Sequence, residues 1–227
     1  VSRDWSSDVC SSDLGGFSVS HGDRLSSLLT IENRDGNTQK PITTSAALSV
    51  TDANVVFEGR LPGDDKGSWL VSARRTYYDL VASRLTDSDF PRFADVQAKV
   101  RYALSPGRSL SFFGLRSRQA ALIRLKESSV RGEFQDDTRN DLLSARLDQT
   151  LGTSAQAHTI VAYSNTASTF GANAALETKS QRSNAPGDDA YGTSNLVFDR
   201  TVSGRDVSVR QETAWSLGTH LVEAGGE

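Results

Sequence analysis

The sequence predicts an all-β chain, a partial transmembrane antiparallel β-barrel of about nine strands. Three observations predict it. Apolar residues recur at every second position in segment after segment, with charged residues between them. Short turns alternate with long polar connections. Large aromatics lie close to the short turns.

Composition narrows the classes. The 227 residues carry 25 Lys and Arg against 28 Asp and Glu, a net charge of −3, which argues against a nucleic-acid partner held by bulk charge. No run reaches the roughly 18 apolar residues of a transmembrane helix. A transmembrane barrel needs no such run, because its strands alternate apolar and polar residues.

From the start of the chain, Arg3 to Leu14 reads RDWSSDVCSSDL, with two Ser-Ser-Asp repeats and no apolar period. This string is similar to a translated sequencing-library adapter. Residues 1–14 are therefore expected to be an artefact outside the fold, disordered. They contain Cys10, the only cysteine, so disulfides and cysteine metal sites are not expected.

The first strong alternation places Ala53, Val55, Phe57, Gly59 and Leu61 against Asn54, Val56, Glu58 and Arg60. A tight hairpin near Val50–Ala53 precedes it, and a turn at Pro62–Gly67 follows. Arg74 and Arg75 fall on opposite faces of the next strand. The clearest segment is Val96 to Leu104, where Val96, Ala98, Val100, Tyr102 and Leu104 alternate with Gln97, Lys99, Arg101 and Ala103. The turn Ser105–Arg108 ends it. Leu143, Ala145, Leu147 and Leu151 then oppose Ser144, Arg146, Asp148 and Thr150. Ala157, Thr159, Val161 and Tyr163 oppose Gln156, His158, Ala162 and Ser164, with Ile160 breaking the polar side. Val207, Val209, Thr213, Trp215 and Leu217 oppose Ser208, Arg210, Glu212 and Ser216. Further short turns fall at Leu151–Ser154 and Leu217–Thr219, and long polar connections at about 82–92, 126–140 and 169–204.

One face so defined carries Gln97, Lys99, Arg101, Arg146, Asp148, Arg210 and Glu212, expected to point into an aqueous lumen. The other is expected to meet lipid. Phe57, Trp69, Tyr102 and Trp215 all lie near short turns and are expected to form an aromatic girdle at one interface. The odd strand number and a finish at VEAGGE are read as a truncated barrel.

No motif carries catalytic chemistry. Gly63–Ser68 lacks the order of a phosphate loop, and His21, His158 and His220 lack metal spacing. Asp87 and Asp89, like Asp188 and Asp189, offer no full calcium ligand set. Serines are plentiful without a fixed base or orienting acid, so no triad is assigned. The chain is expected to be no enzyme and to bind no cofactor or metal.

Three stretches carry a family resemblance. Gly15 to Asn37, GGFSVSHGDRLSSLLTIENRDGN, resembles the end of the plug domain of TonB-dependent receptors. Gly59 to Tyr78, GRLPGDDKGSWLVSARRTYY, resembles the early barrel, and residues 93–116 continue the likeness through Tyr-Ala-Leu-Ser-Pro and Leu-Ser-Phe-Phe-Gly. The resemblance implies a plug-domain end at 15–38 and the N-terminal part of a barrel of about 22 strands at 39–227. It implies a cell outer membrane location and energised uptake of a bulky extracellular ligand. The partners it implies are outer-membrane lipid, the unknown ligand and the TonB energy-coupling protein, reached through a segment absent here. Arg24, in the plug-like stretch, is expected to pair with Glu58 on the barrel wall. Two other readings remain: a non-energised porin-like or structural barrel, and a soluble all-β carbohydrate-binding domain.

Overall fold

The computed structural model describes residues 7–13, 28–63, 66–77, 91–126, 130–180 and 190–227, and these contain no helix. Strands β1 (Ser7–Asp13) and β2 (Leu28–Asn33) pair as a two-stranded antiparallel sheet. The other nine strands form one antiparallel sheet. They are β3 (Thr43–Leu48), β4 (Asp52–Arg60), β5 (Gly67–Thr76), β6 (Arg92–Ser105), β7 (Arg108–Lys126), β8 (Val130–Leu151), β9 (Ala155–Ser180), β10 (Ala190–Leu217) and β11 (His220–Gly226). Each strand pairs with its neighbours in sequence, and the sheet is open, with β3 and β11 as its edges.

The register sorts side chains into two faces, because successive residues of a strand point to opposite sides. One row across the sheet runs Glu58, Leu70, Lys99, Phe113, Ser144, Ala162 and Ser208. The adjacent row on the other face runs Gly59, Trp69, Val100, Phe112, Ala145, Val161 and Val209. The first face, called inner below, mixes ions with some apolar residues. The second, called outer, is apolar over its middle rows and lies open: Phe112 is 53% exposed, Leu143 59% and Val207 68%. The buried side chains of β4 and β5, Val56, Glu58, Ser68, Leu70 and Ser72, all belong to the inner face.

The short turns step along the sheet in a fixed way. Leu61 closes on Gly67, which lies in the row of Tyr102 and Leu110. The next hairpin closes at Ser105 and Arg108, two residues further down β7. Arg108 faces Gln149, and the following hairpin closes at Leu151 and Ala155, two residues beyond Gln149. Ala155 faces Trp215, and the last hairpin closes at Leu217 and His220, again two residues on. At about 3.4 Å per residue and about 4.8 Å between strands, this is about 6.8 Å of slip per 9.6 Å of width. If the turns share a plane, the strands lean about 35° from its normal.

Turns explain where the strands stop. Gly63, Gly107, Gly152 and Gly218 have φ values of 82°, 76°, 69° and 64°, the left-handed region that a Cβ disfavours. Between β3 and β4, Ser49 accepts from and donates to Asp52, which closes the expected tight hairpin at this end.

Two expectations are corrected. The stretches 126–140 and 169–204, read as long connections, are largely strand: β8 begins at Val130, β9 runs to Ser180 and β10 resumes at Ala190. Apolar residues move to the inner face there, as in the row Ile123, Phe134, Ala172 and Phe198, and the ladder continues beside polar cross-strand pairs such as Arg118 with Asp137 and Thr138 with Ser168. Part of 82–92 lies outside the described residues. Residues 7–13, expected to be disordered, form β1 instead. Any proline-free backbone can pair with an open strand edge, and β2 offers one.

Candidate functional site

The inner face at β4–β6 is where the chain before the nine-stranded sheet meets it. Arg34 forms a two-pronged ion pair with Glu58, Nη1 to Oε2 at 2.6 Å and Nη2 to Oε1 at 3.1 Å. Asp35 is clamped between two cations, Lys99 at 2.8 Å and Arg101 at 2.5 Å. Lys99 also donates to the carbonyl of Asn33. Burial raises the Asp35 carboxyl's pKa, but hydrogen bonds from Lys99 and Arg101 and their positive charge outweigh it and hold the group below its ordinary value.

The chain approaches closely enough that side chains would obstruct it. A Cβ on Gly36 would lie 2.1 Å from the Trp69 carbonyl oxygen, and one on Gly59 would lie 2.0 Å from that of Pro41. The Arg60 amide donates to the Lys40 carbonyl at 2.9 Å, so the segment is also held by the backbone.

Beyond this anchor the inner face continues as ion pairs. Arg74 meets Asp95 at 2.8 Å, with its guanidinium 5.0 Å from the centre of the Phe93 ring. Asp148 accepts from Arg146 at 2.7 Å and stands 2.6 Å from Nδ1 of His158. Arg210 pairs with Glu212 at 2.6 Å. Near the short turns, Arg101, Ser109, Asp148, Gln156 and His158 line a polar depression.

Every residue expected on the polar side shares this face. Gln97, Lys99 and Arg101 do so on β6, Arg146 and Asp148 on β8, and Arg210 and Glu212 on β10. Arg74 lies with them and Arg75 opposite. Phe57, Trp69, Tyr102 and Trp215 all lie on the outer face, each within four residues of a short-turn closure. Arg24, the expected partner of Glu58, lies outside the described residues; the carboxylate is met by Arg34. Sequence reading passed over Arg34 and Asp35. The signal was present in Asn33-Arg34-Asp35-Gly36-Asn37, an ionic stretch ahead of the first strand of the large sheet.

The class these features define is an all-β chain whose main sheet has an open apolar band on one face and ion pairs across the same strands on the other. No family model matches the chain, and neither a curated protein nor a solved structure matches it.

Proposed function

We propose that this chain is the plug-to-barrel junction of a TonB-dependent outer-membrane receptor, with the nine-stranded sheet as an arc of the barrel wall. The observation that carries the reading is the division of the sheet into an exposed apolar face and an ionic face to which Arg34 and Asp35 are tied. A wall between acyl chains and a plugged, wet lumen requires this division.

The stagger of the hairpins supports the same reading. A lean of about 35° falls within the range of outer-membrane barrels. On β6 the outer-face run from Ala94 to Leu104 spans ten residue steps, about 34 Å along the strand and about 28 Å along the normal. That is close to the ~25 Å apolar band of such barrels. A simple porin has no use for a preceding segment ion-paired to its wall. A soluble carbohydrate-binding sheet would bury its apolar face.

On this reading the parent protein takes up a bulky ligand at the expense of energy delivered to the plug. The seven inner-face polar residues line the lumen, the four aromatics mark the periplasmic interface, and Arg34 and Asp35 fix the end of the plug to the wall. The partners are outer-membrane lipid, the extracellular ligand and the energy-coupling protein, with no catalytic or cofactor role.

The test is to produce the intact gene product in a Gram-negative host. It should fractionate with the outer membrane, require detergent and change electrophoretic mobility on heating. Ligand uptake should cease when energy coupling is removed. A product soluble without detergent would overturn the membrane reading, and uptake indifferent to coupling would overturn the receptor reading.

A further inference from the structure

On the outer face the apolar band ends abruptly on the side away from the short turns. Along β7, Leu110, Phe112 and Gly114 give way to Arg116. Leu143 gives way to Asp141 on β8, Tyr163 to Asn165 on β9, and Val207 to Arg205 on β10. The next row of this face holds Arg75, Ala94, Arg118, Arg139 and Ala167. The row after that adds Arg92 and Asp137.

Two features of this region are unusual. Arg118 and Arg139 are direct cross-strand partners, an arrangement that like charges disfavour. One carboxylate is shared between them, Asp137, at 2.5 Å from Arg118 and 3.7 Å from Arg139. Arg116 meets Asp141 at 2.6 Å. Among the described residues, these three rows therefore set six arginines (75, 92, 116, 118, 139 and 205) against two aspartates (137 and 141). The side chains of Arg116, Arg118 and Arg139 are 81%, 55% and 62% exposed. Among the described residues, the row at the short turns holds one arginine, Arg108, with Gln149, Ala157 and Thr213.

We propose that this arginine belt binds the phosphates of a phosphorylated lipid headgroup in the outward-facing leaflet. The inference rests on the membrane reading above. The planar guanidinium matches phosphate in a two-pronged fashion, and a doubly charged anion relieves the repulsion between Arg118 and Arg139. Position selects a lipid over a soluble anion. The belt continues the surface that meets acyl chains, and its residues stand about 22 to 36 Å above the plane of the short turns, across the upper edge of the apolar band, from which long guanidinium side chains reach the headgroups. Ala94 and Ala167 flank the arginine pair and leave a low floor on either side of it.

The experiment uses the intact gene product in detergent and native mass spectrometry. The probe is a bisphosphorylated, acylated glucosamine disaccharide, with inorganic phosphate as a separate arm. The wild type should retain the lipid, and the variant R116Q/R118Q/R139Q should bind it at least about tenfold more weakly. Arg108→Gln, at the opposite rim, should bind it as the wild type does. Equal binding by the triple variant and wild type would overturn the proposal. So would competition by inorganic phosphate as effective as the lipid, which would mark a free-anion site. Heat-dependent mobility is measured on every sample. A triple variant that keeps it while losing lipid supports the proposal. If the triple variant does not fold, Arg118→Gln and Arg139→Gln are tested singly by the same measure. A wild type that needs no detergent defeats the underlying membrane reading instead.

Discussion

Removing the carboxylate from the Arg34–Glu58 pair tests whether the segment before the sheet is docked by ions. Glu58→Gln preserves shape and leaves the guanidinium facing an amide. Exposed ion pairs contribute about 0.2–1 kcal/mol, whereas breaking a fully buried one costs about 3–5 kcal/mol. The side chains here are 20% and 12% exposed, and the geometry is two-pronged, so the pair falls between those limits, at about 2 kcal/mol. The Arg60 amide reports undocking, because it donates to the Lys40 carbonyl of the docked segment. Its hydrogen exchange should accelerate about thirtyfold in Glu58→Gln, through local opening rather than global unfolding. Arg34→Gln should do the same, and the double variant should add little to either single one. Unchanged exchange, or single effects that simply add, would refute the reasoning.

Three further outcomes follow from the same geometry. Val100→Arg, mid-band on the outer face, should cost about 2–4 kcal/mol in urea unfolding from detergent, while Gln97→Arg on the inner face should cost under about 1 kcal/mol. Asp35 has a lowered pKa when folded, so its contribution to docking is fully present above the unfolded carboxyl value near ~3.9 and is lost as pH falls through the lower folded value. Arg60 amide exchange, corrected for intrinsic rate, should therefore rise across that acidic window, and Asp35→Asn should flatten this component. Gly36→Ala should destabilise docking by about 1–3 kcal/mol in the same assay, because the new methyl meets a backbone carbonyl that cannot rotate away.

The sheet was legible where one face is apolar and the other ionic. Val96–Leu104 and Val207–Leu217 alternate so regularly that β6 and the second half of β10 follow from them, register faces included. The outer extensions of β7 to β10 were not legible, because the apolar residues change faces there: Ile123, Phe134, Phe170, Ala172 and Phe198 lie on the inner face, out of phase with the lower half of each strand. Their pairing is held by backbone hydrogen bonds and by charge pairs across strands, such as Arg124 with Glu133, which sequence order alone does not place opposite one another. The docking site was half legible. Glu58 was identified as a wall carboxylate that needs a cation, but its partner came from Arg34, since only the three-dimensional path of residues 33–41 brings that side chain to β4.

Site-directed labels on the intact protein in bilayers test the central claim most directly, with every native cysteine replaced so that one cysteine is present at a time. Labels at Val96, Val100, Phe112 and Val161 should be quenched by acyl-chain quenchers and shielded from aqueous ones. Labels at Gln97, Lys99, Arg101 and Arg146 should show the reverse. Aqueous access at both sets, or lipid contact at the charged set, would contradict the account.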